Sequence, residues 1–231
     1  MIYITGDTHG DVKRIADFCS QYNTTKDDIL VILGDSGYNY YKNRKDIVRK
    51  EMTEVLPITV FCIHGNHEER PYNIDTYVTK IWNNGIVYYE KEYPNLLFAK
   101  DGEVYTLNGK KCVVLGGAYS VDKEYRLLRG WNYFESELPT PEIMEHAEEM
   151  LSKNNWKVDY VFSHTCPLKY EPREWFLDYV DQSKVDKTAE IWLEEIEEKL
   201  AYKKWYCGHF HGSKVIDKLR FMFEDYVELC G

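Results

Sequence analysis

A chain of 231 residues, 44% hydrophobic and 15% aromatic with 20 tyrosines, carries enough apolar side chain to bury a core, which excludes a disordered chain. Its formal net charge of −10 argues against the broad basic face that nucleic-acid binding requires. It leaves room for a phosphate substrate, because bound metal ions supply positive charge locally.

No apolar run reaches the length of a membrane span, and Met1 leads into Ile2-Tyr3-Ile4 with no basic-then-apolar leader, so a cytoplasmic protein without membrane partners is expected. The six cysteines (19, 62, 112, 166, 207 and 230) form no C-x-x-C pair and sit in or beside apolar runs, which predicts reduced, mostly buried thiols.

Met1 to Thr5 reads as a first strand ending in Gly6-Asp7-Thr8-His9-Gly10-Asp11. Ile15, Phe18 and Cys19 then recur at helical spacing between Val12 and Tyr22. Ile29 to Leu33 is a continuous apolar run, as expected of a strand buried on both faces, and it ends in Gly34-Asp35. A helix over about 43–55 leads to Pro57 and to the run Thr59 to Ile63, which breaks at Gly65-Asn66-His67-Glu68. Asp7, Asp35 and Asn66 thus stand at three strand ends, 28 and 31 residues apart (35 − 7 and 66 − 35), the length of a βαβ unit. Right-handed crossovers then put the three ends on one edge of a parallel sheet.

The middle of the chain carries short β-like runs at 96–98, 103–107 and 111–115, with a hairpin turn at Asn108-Gly109. Gly116-Gly117 opens a loop to about Pro139, with short helical pieces. Thr140-Pro141-Glu142 starts a helix to about Lys153, with Thr as cap and Pro at the first helical position. A buried strand follows at 158–163 and ends in His164, a surface excursion covers 165–187, and a helix spans 188–201. Lys204 to Cys207 is a strand ending in Gly208-His209-Phe210-His211, and two or three strands lie within 214–229. With no repeat, low-complexity tract or linker, residues 1–231 read as one domain.

Asp7, His9, Asp35, Asn66, His67, His164, His209 and His211 therefore gather at strand ends, and they include five of the seven histidines. Carboxylate with imidazole suits manganese, iron or zinc better than calcium. Seven ligands exceed one tetrahedral centre and fit two divalent ions sharing a carboxylate, an arrangement common in phosphate-ester hydrolysis.

The ordered series Asp7-Thr8-His9, Gly34-Asp35, Gly65-Asn66-His67-Glu68, His164 and Gly208-His209-Phe210-His211 resembles the calcineurin-like metallophosphoesterases, over residues 6–211. The resemblance implies an α/β fold, a four-layer α/β/β/α sandwich with two mixed β-sheets. It implies one metal on Asp7, His9, Asp35 and His211, and a second on Asp35, Asn66, His164 and His209. Manganese is the first expectation for the pair, with iron, zinc, nickel or cobalt as alternatives. A hydroxide bridging the metals would attack phosphorus, with His67 as general acid on the leaving alkoxide. Glu68 is expected to be structural.

Gly6-Asp7-Thr8-His9-Gly10 and Gly65-Asn66-His67-Glu68 look closest to the Ser/Thr protein phosphatase branch. That branch carries Asp-Arg-Gly after its Gly-Asp, where this chain has Ser36-Gly37-Tyr38, and Arg where this chain has His64. The orienting Asp and two phosphate-gripping arginines are thus absent from those positions, and His64, Lys123, Arg126 and Arg129 become the candidate substrate contacts. Lys42, Arg44, Lys45, Arg49 and Lys50 read as an exposed helix face. The expected function is a phosphomonoesterase acting on a phosphorylated substrate. A phosphodiesterase or nucleotide pyrophosphohydrolase is the alternative, and a non-catalytic scaffold or a di-metal aminopeptidase or amidase ranks lower.

Overall fold

The computed structural model describes residues 1–229; Cys230 lies outside them. The first strands are β1 (Ile2–Thr5), β2 (Ile29–Ile32) and β3 (Thr59–Cys62), separated by helices α1 (Val12–Tyr22) and α2 (Arg44–Glu54). They pair in parallel register, Ile2 opposite Ile29 and Ile29 opposite Thr59, so their carboxyl ends lie level on one edge. Alternation along these strands sends side chains to two separate cores. Leu30, Ile32, Val60 and Cys62 pack under α1 with Ile15, Phe18 and Cys19, whereas Val31, Leu33, Phe61 and Ile63 face a second sheet.

Four further strands complete the first sheet. They are β4 (Val78–Trp82), β5 (Gly85–Tyr89), β6 (Leu96–Ala99) and a late strand β13 (Tyr226–Glu228), in the order β13-β1-β2-β3-β6-β5-β4. The β4–β5 hairpin is not anticipated from the sequence. Its turn is Asn83-Asn84, both with positive φ (48° and 69°), which is the backbone of a type I′ turn without its usual Asn-Gly signature. The run at 96–98 also joins the first sheet, parallel to β3, so the hairpin-rich middle is shared between sheets.

The second sheet runs β11-β12-β10-β9-β8-β7, built from β7 (Val104–Leu107), β8 (Lys110–Leu115), β9 (Tyr160–Ser163), β10 (Lys204–Cys207), β11 (Lys214–Ile216) and β12 (Leu219–Phe221). Its centre is parallel, β8 with β9 and β9 with β10, which again brings carboxyl ends to one edge. Between β8 and β9 lie α3 (Lys123–Arg129) and α4 (Pro141–Lys153), and α5 (Thr188–Lys199) precedes β10. Thr140 caps α4 through its side chain, as its sequence implied. Ala147 and Leu151 of α4 and Trp192, Leu193 and Ile196 of α5 cover the outer face of this sheet, over Val113, Val161 and Trp205. The order of layers is helices, sheet, sheet, helices, an α/β fold with two mixed β-sheets. No described helix is long and apolar enough to cross a membrane.

Cys19, Cys62, Cys112, Cys166 and Cys207 are free and buried, as expected. The basic run on α2 departs from expectation: Lys50 is buried in a 2.6 Å ion pair with Glu90, while Arg44 and Lys45 are exposed.

Candidate metal centre and substrate cleft

Asp7 and His9 follow β1, Asp35 follows β2, Asn66 and His67 follow β3, His164 follows β9, and His209 and His211 follow β10. The two sheets thus deliver both groups to one cluster. Asp7, His9 and His211 present ligand atoms within 4.8 Å of one another, and so do Asp7, Asp35 and His164. His9 Nε2 and His211 Nε2 are 3.0 Å apart, and His164 Nε2 is 3.8 Å from Asp35 Oδ1. His9, Asp35, His209 and His211 all have positive φ, between 47° and 68°. Left-handed backbone at non-glycine residues stores strain and is concentrated at functional sites.

Gly34 shows what the close packing demands. Its φ is +95°, and a Cβ placed there would lie 2.0 Å from His164 Nδ1. That nitrogen lies 2.7 Å from the Leu33 carbonyl oxygen, which can only accept, so Nδ1 carries a proton and Nε2 is the nitrogen turned to the cluster. Asn66 donates through Nδ2 to Ser120 Oγ (2.8 Å), and its Oδ1 stands 2.8 Å from His164 Nε2 and 3.1 Å from His209 Nδ1. In the neutral tautomer, Asn66 Oδ1 and His164 Nε2, 2.8 Å apart, both present lone pairs. They are arranged as two donors to one cation.

The carboxylates fit the same reading. Asp7 is 1% exposed, yet its Oδ2 accepts no hydrogen bond; His211 Nε2 is 3.2 Å away and His9 Nε2 3.9 Å. Asp7 Oδ1 accepts from the His209 amide and Asp35 Oδ1 from the His67 amide. The side-chain ion-pair partners of both carboxylates among the described residues are histidines. Burial pushes Asp35 up to about 6, reinforced by the charge of Asp7 and opposed by His164. Burial would also raise Asp7, but His164, His211 and His9 outweigh it and hold it below the usual carboxylate range. Burial pushes His209 down to about 3 and lowers His9 as well, which keeps both imidazoles neutral. Asp7 raises His211 in turn. Two buried carboxylates whose ion-pair partners are imidazoles form a donor set suited to divalent ions.

His67 is placed differently. Its Nε2 lies 4.0 Å from Asp35 Oδ2 and 3.1 Å from Arg126 Nη2. Burial, then Arg126, depress its pKa to about 2. Arg126 is fixed by Asp122 (2.8 Å) and by the Tyr40 hydroxyl (3.1 Å). Glu68 is buried and accepts from Ser36 Oγ (2.5 Å) and the Gly65 amide (3.0 Å), tying the loops after β2 and β3 together. This is the structural part expected of it.

Three candidate contacts are not brought to the cluster. His64 is buried, its Nε2 3.2 Å from the Ser136 carbonyl, and it lines a separate cavity with Arg70 and Asp101. The backbone turns at Gly65, so the residue before it points to the far side of the loop. Arg129 is exposed over the Tyr125 ring, and Lys123 lies over Tyr133. In their place comes Arg49 of α2, which lines a cavity of about 390 Å³ with His9, Tyr40, Arg126, His67 and His211. The sequence pattern puts Arg49 on an exposed face; the chain direction of α2 past Gly37, whose carbonyl it donates to at 2.9 Å, turns it inward.

A second cavity, about 360 Å³, opens on the other side of His67 and His211 and includes Asp35, Asn66 and His209. Its far wall is the segment 165–187, read from sequence as a surface excursion. Three short 3₁₀ turns there place Trp175 and Phe176 beside Phe210. The sequence signal was present in the aromatic residues of that segment and in Phe210, set between two site histidines. Ser120, which orients Asn66, had a weaker one, its place after the strand-end Gly116-Gly117.

The sequence profile of the calcineurin-like phosphoesterases matches residues 1–223. Among solved structures, the protein TT1561 of Thermus thermophilus superposes with a TM-score of 0.54 at 10% identity, covering 96% of this chain and 87% of that one. A protein of unknown function from Aquifex aeolicus, AQ665, aligns with a TM-score of 0.34 at 16% identity, over 71% of this chain and 80% of that one. No curated protein matches the sequence. The chain belongs to the calcineurin-like phosphoesterase family, whose chemistry is metal-dependent phosphoester hydrolysis.

Proposed function

We propose that the protein is a binuclear metal-dependent phosphomonoesterase. One divalent ion is held by Asp7, His9, Asp35 and His211, the other by Asp35, Asn66, His164 and His209, with manganese the first candidate for both. The observation that carries the reading is the convergence of ligand atoms: Asp7 Oδ2, which accepts no hydrogen bond and faces only His9 and His211 among its ion-pair partners, and Asn66 Oδ1, 2.8 Å from His164 Nε2. Such ions supply Lewis-acid charge to phosphoryl oxygens and lower the pKa of a bound water.

The chain's own residues do the rest. Leu33 and Ser120 fix the orientation of His164 and Asn66. Arg126, at hydrogen-bond distance from His67, grips non-bridging phosphate oxygens, a role for which the planar guanidinium is suited. His67 protonates the leaving oxygen; an arriving phosphate screens Arg126 and raises the imidazole's basicity toward that task. The Gly-Asp-x-His-Gly and Gly-Asn-His-Glu motifs support a protein-phosphatase-like branch, with Arg126 and Arg49 replacing arginines that the branch carries elsewhere.

A phosphodiesterase or pyrophosphohydrolase is the second reading, favoured by one feature. Two cavities meet at His67 and His211, the arginine-bearing one suited to a second charged group. Hydrolysis of p-nitrophenyl phosphate and bis-p-nitrophenyl phosphate, with Mn²⁺ and with EDTA, tests both. Wild type is compared with Asp35→Asn and His67→Ala. Monoester turnover that needs metal and is abolished by Asp35→Asn is the expected result. Failure to bind metal sinks the proposal, and preference for the diester selects the second reading.

A further inference from the structure

The aromatic-walled cavity contains a polar group for which hydrolysis has no use. Glu190, in the first turn of α5, is 4% exposed and lines the same cavity as Asp35, Asn66 and His67. Thr165 Oγ1 donates to its Oε1 at 2.7 Å, while Oε2 has no hydrogen-bond partner among the described residues. The neighbouring base, Lys187, is committed to Glu171 Oε1 (2.6 Å), with Gln182 Oε1 at 3.4 Å. A buried acceptor left unmatched destabilises the fold, so an apolar residue would serve the helix better there unless a ligand supplies the donor. Trp175, Phe176 and Phe210 form the wall beside it, and the rings of Phe176 and Phe210 are near parallel, 19° apart with centroids at 6.4 Å.

We infer that this cavity receives the alcohol portion of the substrate, and that Glu190 Oε2 accepts a hydrogen bond from a planar, N–H-bearing group of the kind a nucleobase presents. The inference rests on the phosphoesterase reading for where the phosphate lies, at the histidine cluster on the cavity's edge. Flat aromatic walls favour a flat guest, since every base offers a π-face on which such rings stack. The rings themselves offer no acceptor, and the other carboxylates on the cavity's far lining, Glu171 and Asp122, are committed to Lys187 and Arg126. The unmatched oxygen of Glu190 therefore selects among flat guests by their donors, and a plain phenyl ring lacks the matching group.

The test uses the full chain. Guanosine and adenosine, which carry no phosphate, are titrated by calorimetry and by tryptophan fluorescence, with N6,N6-dimethyladenosine as the same ring without its amino protons. Wild type, Glu190→Gln and Glu190→Ala are compared, and p-nitrophenyl phosphate turnover with Mn²⁺ is measured in parallel. The expected result is saturable binding of guanosine or adenosine, weakened at least ~10-fold by either substitution, with p-nitrophenyl phosphate turnover changed less than ~3-fold. If adenosine is the ligand, its dimethyl analogue binds at least ~10-fold more weakly to wild type. Binding of neither nucleoside, or binding unchanged in Glu190→Gln, overturns the inference, as does an adenosine ligand that its dimethyl analogue matches. Nucleoside binding without any phosphoester turnover would leave Glu190's role standing and remove the phosphomonoesterase proposal instead.

Discussion

Replacing Gly34 by alanine tests the central packing of the site. The new Cβ would begin 2.0 Å from His164 Nδ1, and real Cβ contacts essentially never fall below 3.0 Å. His164 must therefore retreat by about 1 Å, which stretches its 2.7 Å bond to Leu33 beyond hydrogen-bond range. Left-handed backbone at a non-glycine residue costs about 1–2 kcal/mol, and a buried carbonyl left without its donor about 1–3 kcal/mol. A total near 3 kcal/mol, set against an unfolding entropy of about 2.1 cal/mol/K per residue over 231 residues, lowers Tm by about 6 °C. Circular-dichroism melts in EDTA read this term free of metal. Manganese titration reads the second consequence, an affinity loss of about 10–100-fold, because ligand distances tolerate only small errors. Gly109→Ala is the control: Gly109 also has positive φ (+72°), but nothing lies within 4 Å of its Cβ. If Gly34→Ala melts no lower than Gly109→Ala and binds two manganese ions with wild-type affinity, the packing argument fails.

Arg126→Ala should lower kcat/KM for p-nitrophenyl phosphate by about 10–100-fold, with Arg126→Lys recovering part of it, while Arg129→Ala, exposed on Tyr125, stays within about 2-fold. Arg70 is buried with its guanidinium on Asp101 and donates to the Ser136 carbonyl at 2.7 Å. Arg70→Ala should therefore cost about 3–5 kcal/mol in urea unfolding, and replacing both partners by apolar residues should cost less. Glu190 gives a pH signature. Burial raises its pKa above the ordinary 4.5, opposed by the Thr165 hydroxyl and Lys187 and reinforced by Glu171. The folded state then holds more protons than the unfolded one above 4.5, so this residue's contribution to stability falls as pH rises toward the raised value. Thermal melts from about pH 4 upward should show Glu190→Gln gaining on wild type with rising pH; a constant difference would contradict the assignment.

Four strand ends were readable because the run stops at a glycine and a ligand-type residue (Gly6-Asp7, Gly34-Asp35, Gly65-Asn66 and Gly208-His209), and a fifth because the run ends directly in His164. The chain separations of the first three match the observed register of β1, β2 and β3. The eight residues of the cluster follow directly. The β4–β5 hairpin was hidden because its strands are half-exposed with a mixed pattern and its turn lacks glycine at the second position. The cleft walls were harder still. Nothing in the periodicity of 165–187 tells which irregular segment folds back over a site, since that depends on packing against Phe210, in the loop after β10, and Phe221 of β12. Arg49 and His64 were misplaced for a similar reason: the packing of α2 beside Gly37 turns Arg49 to the cavity, and the turn at Gly65 buries His64 on the other side of its loop.

The pairing of β13 with β1, Tyr3 opposite Glu228, joins residues more than two hundred positions apart. The Asp7 loop leaves from that same first strand and meets His209 and His211, which arrive almost as late. A growing chain would therefore carry its aspartates long before its last histidines exist. Hydrolytic capacity would switch on only after β10 has joined the second sheet, and the edge of β1 would stay open to stray strands until residues 226–228 close it. Such distant closures slow folding. In this topology they also delay assembly of the metal cluster until both sheets are nearly complete.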